Sequence, residues 1–207
     1  MRVASAPVDG QRYYQECHTD GLADEVGTVI DYAAPVPAAP APVLDPAVLA
    51  VDAYQRVPLV APTVQTSPPI GSPQLVGFPT WLWIDPDAWG TFDATATVPG
   101  LTVTVTATPK QVEWDMGDGN HVTCDGPGTP WVEGTSAAAD TDCEYTYQFT
   151  SADQPGGTYT VTATVTWAVT WAATGAITGG GALADATRTG IAALDVTERQ
   201  AVISHGA

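Results

Sequence analysis

From Thr158 to Trp171 the chain alternates with a period of two. Tyr159, Val161, Ala163, Val165, Trp167, Val169 and Trp171 share one face, and Thr158, Thr160, Thr162, Thr164, Thr166 and Thr170 share the other, interrupted only by Ala168. Successive side chains of a strand point to opposite faces, so this pattern predicts a β-strand with one buried and one hydroxylated side. At about 3.3 Å per residue such a strand exceeds roughly 40 Å, longer than most, which predicts a bend, bulge or change of sheet near Trp167. Leu101, Val103, Val105 and Ala107 alternate with Thr102, Thr104, Thr106 and Thr108 in the same way. Shorter β-prone runs occupy residues 78–84, 92–98, 111–116, 120–124 and 143–149, and a last run occupies 187–203 after Gly179-Gly180-Gly181. Strands of this number, separated by turn signals, describe an all-β antiparallel sandwich.

The first third reads differently. Residues 1–33 form an N-terminal segment with room for one or two short strands, such as Val26 to Tyr32. Residues 34–43 alternate proline with small residues and favour polyproline II, opening a proline-rich linker over 34–73. Within that linker Asp45-Pro46 predicts a helix start, an N-cap followed by proline at the first helical position. The helix covers about 46–55 and ends before Pro58. Val48, Leu49 and Val51 with Asp52, Ala53 and Tyr54 continue it, and, too short to stand alone in water, it is expected to dock one short apolar stripe. The sandwich domain is assigned to 74–207.

Charge narrows the function. Six Lys and Arg against 23 Asp and Glu give a net charge of −17, the opposite of the basic footprint that phosphate backbones require. Nucleic acid and anionic membranes are therefore poor partners. The phosphate-binding G-x-x-x-x-G-K-S/T loop, the G-x-S-x-G elbow, the H-E-x-x-H zinc helix and a C-x-x-C pair are missing from the sequence. His18, His121 and His205 are scattered, and the many carboxylates fall mostly in turns, so the chain is read as non-enzymatic, with no cofactor. The uncharged stretches 57–84 and 160–184 are proline-rich or threonine-alternating and do not read as membrane helices.

Cys124 and Cys143 flank a Gly/Pro/Asp-rich loop at a separation suited to a disulfide, which implies an oxidising compartment. Cys17 is then left as a buried thiol, a link to another chain, or half of a bond to a cysteine elsewhere. No apolar export signal follows Met1, although Ala4-Ser5-Ala6 has the small-x-small form of a cleavage site.

Val112-Glu113-Trp114-Asp115-Met116-Gly117-Asp118-Gly119 resembles the W-D-F-G-D-G hallmark of PKD (polycystic kidney disease) repeats. Tyr145-Thr146-Tyr147 and Pro155-Gly156-Gly157-Thr158-Tyr159-Thr160-Val161 resemble that family's later H-x-Y and P-G-x-Y-T-V motifs. The resemblance spans residues 74–203 and implies an immunoglobulin-like sandwich of extracellular proteins. Pro79-Thr80-Trp81-Leu82-Trp83 and Cys124 to Pro130 add a similarity to exported actinobacterial proteins, which implies no activity.

Read physically, Trp114 belongs to a central strand and points into the sandwich, Asp118-Gly119 suits a φ > 0 turn, and Asp115 and Asp118 hold that turn by side-chain to backbone bonds. A sharper reading makes Asp115, Asp118 and Asp125 calcium ligands, with Asp140, Asp142 and Asp153 nearby, although the spacing is not that of an EF-hand. Trp89 and Trp131 lie in loop text and are the candidate binding residues, where an indole can stack on a sugar or anchor a partner. The threonine face is an ordinary wet sheet surface, or else pairs with another sheet or carries O-linked sugar. The expected function is that of a non-catalytic exported cell-envelope protein, extracellular or at the cell surface, acting as a structural spacer or as a protein-binding module. The alternative is a carbohydrate-binding accessory to cell-wall glycan, and a hydrolase comes third.

Overall fold

A computed structural model describes residues 45–136 and 139–199 of the 207-residue chain. The compact body to which these residues belong begins at Leu44. It therefore takes in the helix and the proline-rich stretch as well as the strands assigned on sequence to the sandwich. The N-terminal segment, residues 34–43, Cys17, His18 and His205 lie outside the described residues.

In chain order the elements are α1 (Pro46–Tyr54), β1 (Val64–Ser67), β2 (Gln74–Leu75), β3 (Pro79–Ile84), β4 (Phe92–Val98), β5 (Leu101–Asp115), β6 (His121–Cys124), β7 (Glu144–Thr146), β8 (Tyr159–Gly175), β9 (Gly179–Ala182), β10 (Ala186–Leu194) and β11 (Val196–Thr197). Short 3₁₀ turns occupy Pro86–Ala88 and Pro155–Gly157. The described chain is thus mostly antiparallel strands with one short helix.

The two long strands are the spine. β5 and β8 pair antiparallel from Leu101↔Gly175 to Asp115↔Thr162. The far edge of β5 is covered first by β4 and then by β6, and the far edge of β8 by β10 and then β9. The sequence predicts two strands, 101–108 and 111–116, where the structure has one strand with a register shift between Pro109 and Gln111. The extra residue, Lys110, changes the parity of burial. Leu101, Val103, Val105 and Ala107 are buried before it, and Val112, Trp114 and Met116 after it. A one-residue bulge keeps both groups on the same face, which an unbroken strand could not do. Pro109, which has no N–H to give to a ladder, sits where the pairing breaks.

The irregularity expected in the long strand near Trp167 is instead in its partner: β8 is one strand, and the bulge lies in β5, where Pro109 pairs with Trp167. β8 itself runs 17 residues, with its odd-numbered side buried from Tyr159 to Val169 and again at Ala173.

A second, three-stranded sheet, ordered β1-β3-β7, turns Val64, Thr66, Thr80, Leu82 and Ile84 inward. α1 lies against β4 and β5. Asp45 caps it as predicted, its Oδ1 accepting from the Ala47 N–H at 2.9 Å. The stripe that docks is made of alanines. Ala50 and Ala53 are fully buried, while Val48 and Val51 are 67% and 49% exposed. Alanine lets helix and sheet approach closely, which valine on that face would prevent. β2 and β11 form a short parallel pair.

Trp114 and Trp167 are the largest buried side chains. Trp167 donates its indole N–H to the Gly90 carbonyl at 3.2 Å and meets Phe92 edge-on. The Trp114 N–H has no acceptor among the described residues. Trp171, placed in the core on sequence, is only half-buried.

Candidate functional site

Two neighbouring features carry the polar and aromatic side chains singled out on sequence: the turn after β5 and the loop between β6 and β7. The turn is held from inside. Asp115 Oδ1 accepts from the Gly117 N–H at 2.9 Å, Asp118 Oδ1 accepts from the Asn120 N–H at 3.0 Å, and the Met116 N–H donates to the Asn120 carbonyl. These are the side-chain to backbone bonds expected of an Asx turn. Gly117 (φ 76°) and Gly119 (φ 91°) are both left-handed. A Cβ on Gly117 would stand 2.6 Å from the Thr160 carbonyl oxygen, so the turn packs directly on the β8 backbone and only glycine fits there.

Behind the turn lie three tyrosines. The Tyr145 hydroxyl donates to Asp118 Oδ2 at 2.6 Å, Tyr147 donates to the Met116 carbonyl at 3.1 Å, and Tyr159 donates to the Thr150 carbonyl at 3.0 Å. Tyr145 meets Tyr147 edge-on at 4.9 Å, and Tyr147 stacks on Tyr159 at 5.2 Å. Burial, reinforced by the Asp118 carboxylate, pushes the Tyr145 hydroxyl up to about 12 from its ordinary 10.0. Burial first, and then the Asp118 charge, also raise Tyr147 and Tyr159. Phenolate is disfavoured at all three, so they are hydrogen-bond donors that fix the turn rather than acids poised to react.

That arrangement bears on the calcium reading. Both oxygens of Asp118 are engaged by protein donors. Among the described residues no three His, Cys, Asp or Glu side chains come together in a group able to hold a metal ion. Asp115 and Asp118 give oxygens to the turn, and Asp125 stands exposed beyond Cys124.

Cys124 ends β6 and Cys143 precedes β7, and the two are joined by a disulfide with Cα atoms 5.7 Å apart. The bond crosses from the large sheet to the small one. Between the cysteines the loop is pinned along β3: the Leu82 N–H donates to the Cys143 carbonyl at 3.0 Å, and the Ile84 N–H to the Pro127 carbonyl at 2.8 Å. Gly128 (φ 84°) lies so close that a Cβ would overlap the Leu82 carbonyl oxygen and stand 2.7 Å from the Trp83 Cα. The Thr129 hydroxyl donates to Asp142 Oδ1 at 2.6 Å, and Thr135 donates to the Val132 carbonyl through both its N–H and its hydroxyl.

At the tip of this braced loop Trp131 is 41% exposed and Val132 65% exposed. Trp89 is different. It follows the 3₁₀ turn and is half-buried against the core. Val132 and the bracing role of Gly128 were not singled out on sequence, although Pro127-Gly128-Thr129-Pro130 marks a loop whose backbone is restrained.

The threonine face forms the outside of the large sheet. Thr95 and Thr104, Thr97 and Thr102, and Thr164 and Thr189 pair their hydroxyls across strands at 3.2, 3.4 and 3.2 Å. Among the described residues no helix is long and apolar enough to cross a membrane. Compared with protein-family models, curated proteins and solved structures, the chain matches none.

Proposed function

We propose that this chain is a non-catalytic exported protein of the cell envelope, in which a PKD-like, immunoglobulin-like sandwich is the rigid frame for a protein-binding loop. The observation that carries this reading is the loop from Cys124 to Cys143, which is crosslinked, pinned to β3 and yet holds Trp131 and Val132 in solvent. An adjacent tryptophan and valine held exposed on a restrained loop offer an apolar contact, and restraint lowers the entropy lost on binding. The disulfide supports an oxidising, extracellular location. The PKD-like assignment is supported by the Trp114-to-Gly119 turn, bound by Tyr145 and Tyr147 from the strand region that follows the loop.

The test is capture of envelope proteins on the immobilised chain and on its Trp131→Ala variant. The expected result is a partner that is at least tenfold depleted on the variant, and capture indifferent to Trp131 would refute the loop's role. A glycan reading draws on the same exposed indole. It predicts quenching of Trp131 fluorescence by cell-wall glycan fragments and no protein captured in a Trp131-dependent way.

A further inference from the structure

The charge around the loop tip specifies the kind of partner, an inference that rests on the reading of the loop as a binding element. Between Lys110 and Arg188 the sequence contains neither lysine nor arginine. In and beside the loop, Asp125, Glu133, Asp140, Asp142 and Glu144 are all exposed. The ion pairs of the described residues, Arg56 with Asp52 and Lys110 with Asp185, lie elsewhere. Glu133 lies two residues from Trp131, and Asp142 accepts from Thr129 on its other side, so carboxylates stand beside the apolar pair and none of the described lysines or arginines neutralises them. Like charges within a screening length of about 8 Å add their fields, and an exposed apolar tip among them is matched by a surface of opposite sign.

We infer that the partner surface meeting Trp131 and Val132 is cationic: a basic polypeptide that presents arginine around an apolar contact. Arginine suits both halves of the site, because its guanidinium pairs with carboxylates and also stacks on an indole face. Exposed carboxylates at the rim steer encounter and set salt dependence, while Trp131 supplies the desolvated anchor. An acidic polymer, whether nucleic acid or anionic glycan, would be repelled by the same rim.

The probe is a fluorescent 15-residue peptide of arginine, leucine and glycine, compared with a peptide carrying glutamine in place of each arginine. Binding to the full chain with its disulfide intact is followed by fluorescence anisotropy, and folding of every variant is checked by circular dichroism. The arginine peptide is expected to bind at least tenfold more tightly than the glutamine peptide. Trp131→Ala and the combined Asp125→Asn, Glu133→Gln, Glu144→Gln variant should each weaken it at least tenfold, with only the second flattening the response to sodium chloride. Removing carboxylates away from the loop, Asp93→Asn with Asp195→Asn, should change affinity less than twofold.

Equal losses from the loop and the remote carboxylates would reduce the effect to net charge and overturn the inference. Equal Trp131-dependent binding of both peptides would also overturn it while leaving the loop as a binding element. If neither peptide binds through Trp131 the cationic partner is refuted, and the binding role itself falls only if Trp131-dependent capture from envelope proteins fails too.

Discussion

Gly128 and Tyr145 show how single side chains brace the site. Gly128 has φ 84° and no room for a Cβ against β3, so Gly128→Ala must either break the Ile84–Pro127 hydrogen bond or displace the loop. A loss of about 2–3 kcal/mol is expected, read as a lower urea midpoint at unchanged slope. Tyr145→Phe removes the bond to Asp118 while keeping the ring contact with Tyr147, and should cost about 1 kcal/mol. The tyrosines also set an alkaline limit. Their folded-state values lie above the ordinary 10.0, with Tyr145 at about 12, so above pH 10 the folded chain retains protons that the unfolded chain would release. Their contribution is complete below pH 10, and that of Tyr145 is lost as pH rises through about 12. Thermal melts from pH 9 to 12 should show a falling midpoint, a fall reduced in Tyr145→Phe. The Asp118–Tyr145 bond joins residues 27 positions apart and has no local sequence signal, whereas the Asp115 and Asp118 turn bonds are local and were legible.

At the scale of elements, the bulge at Lys110 decides which residues of β5 face the core. Deleting Lys110 would join Pro109 to Gln111 and turn Val112 and Trp114 outward, or Leu101 to Ala107 if the far half held its register. Either outcome exposes several buried side chains, and the deletion is expected to give no cooperative unfolding transition by circular dichroism. Lys110→Ala keeps the residue count and loses only an exposed ion pair with Asp185, so its change should stay within about 0.5 kcal/mol. The alternation in Leu101–Thr108 and Thr158–Trp171 was readable because each run has one period and one buried side. The continuity of β5 was not, because a bulge resets the parity of the pattern and its pairing with Trp167 is set by a strand far along the chain. In α1 the start was readable from Asp45-Pro46, while the buried side was decided by how closely a helix can approach β4 and β5.

For the molecule as a whole, the disulfide joins the two sheets through β6 and the start of β7. Removing it with Cys124→Ser and Cys143→Ser should cost about 3 kcal/mol through loop closure alone, seen as a lowered melting midpoint in differential scanning calorimetry. A loss below about 1 kcal/mol would mean that the hydrogen bonds to β3 hold the loop without it. The sequence by itself determined that the chain is largely strands, where the longest of them lie, which thiols pair and which aspartates close the turn. Each depends on periods, caps and spacings confined to neighbouring residues. Only the tertiary structure decided that Trp89 packs on the core while Trp131 stands in solvent, that α1 docks by its alanines, and that Tyr145 reaches Asp118. Those outcomes are set by what packs against each side chain from distant parts of the chain, and the order of residues along one strand or loop does not encode it.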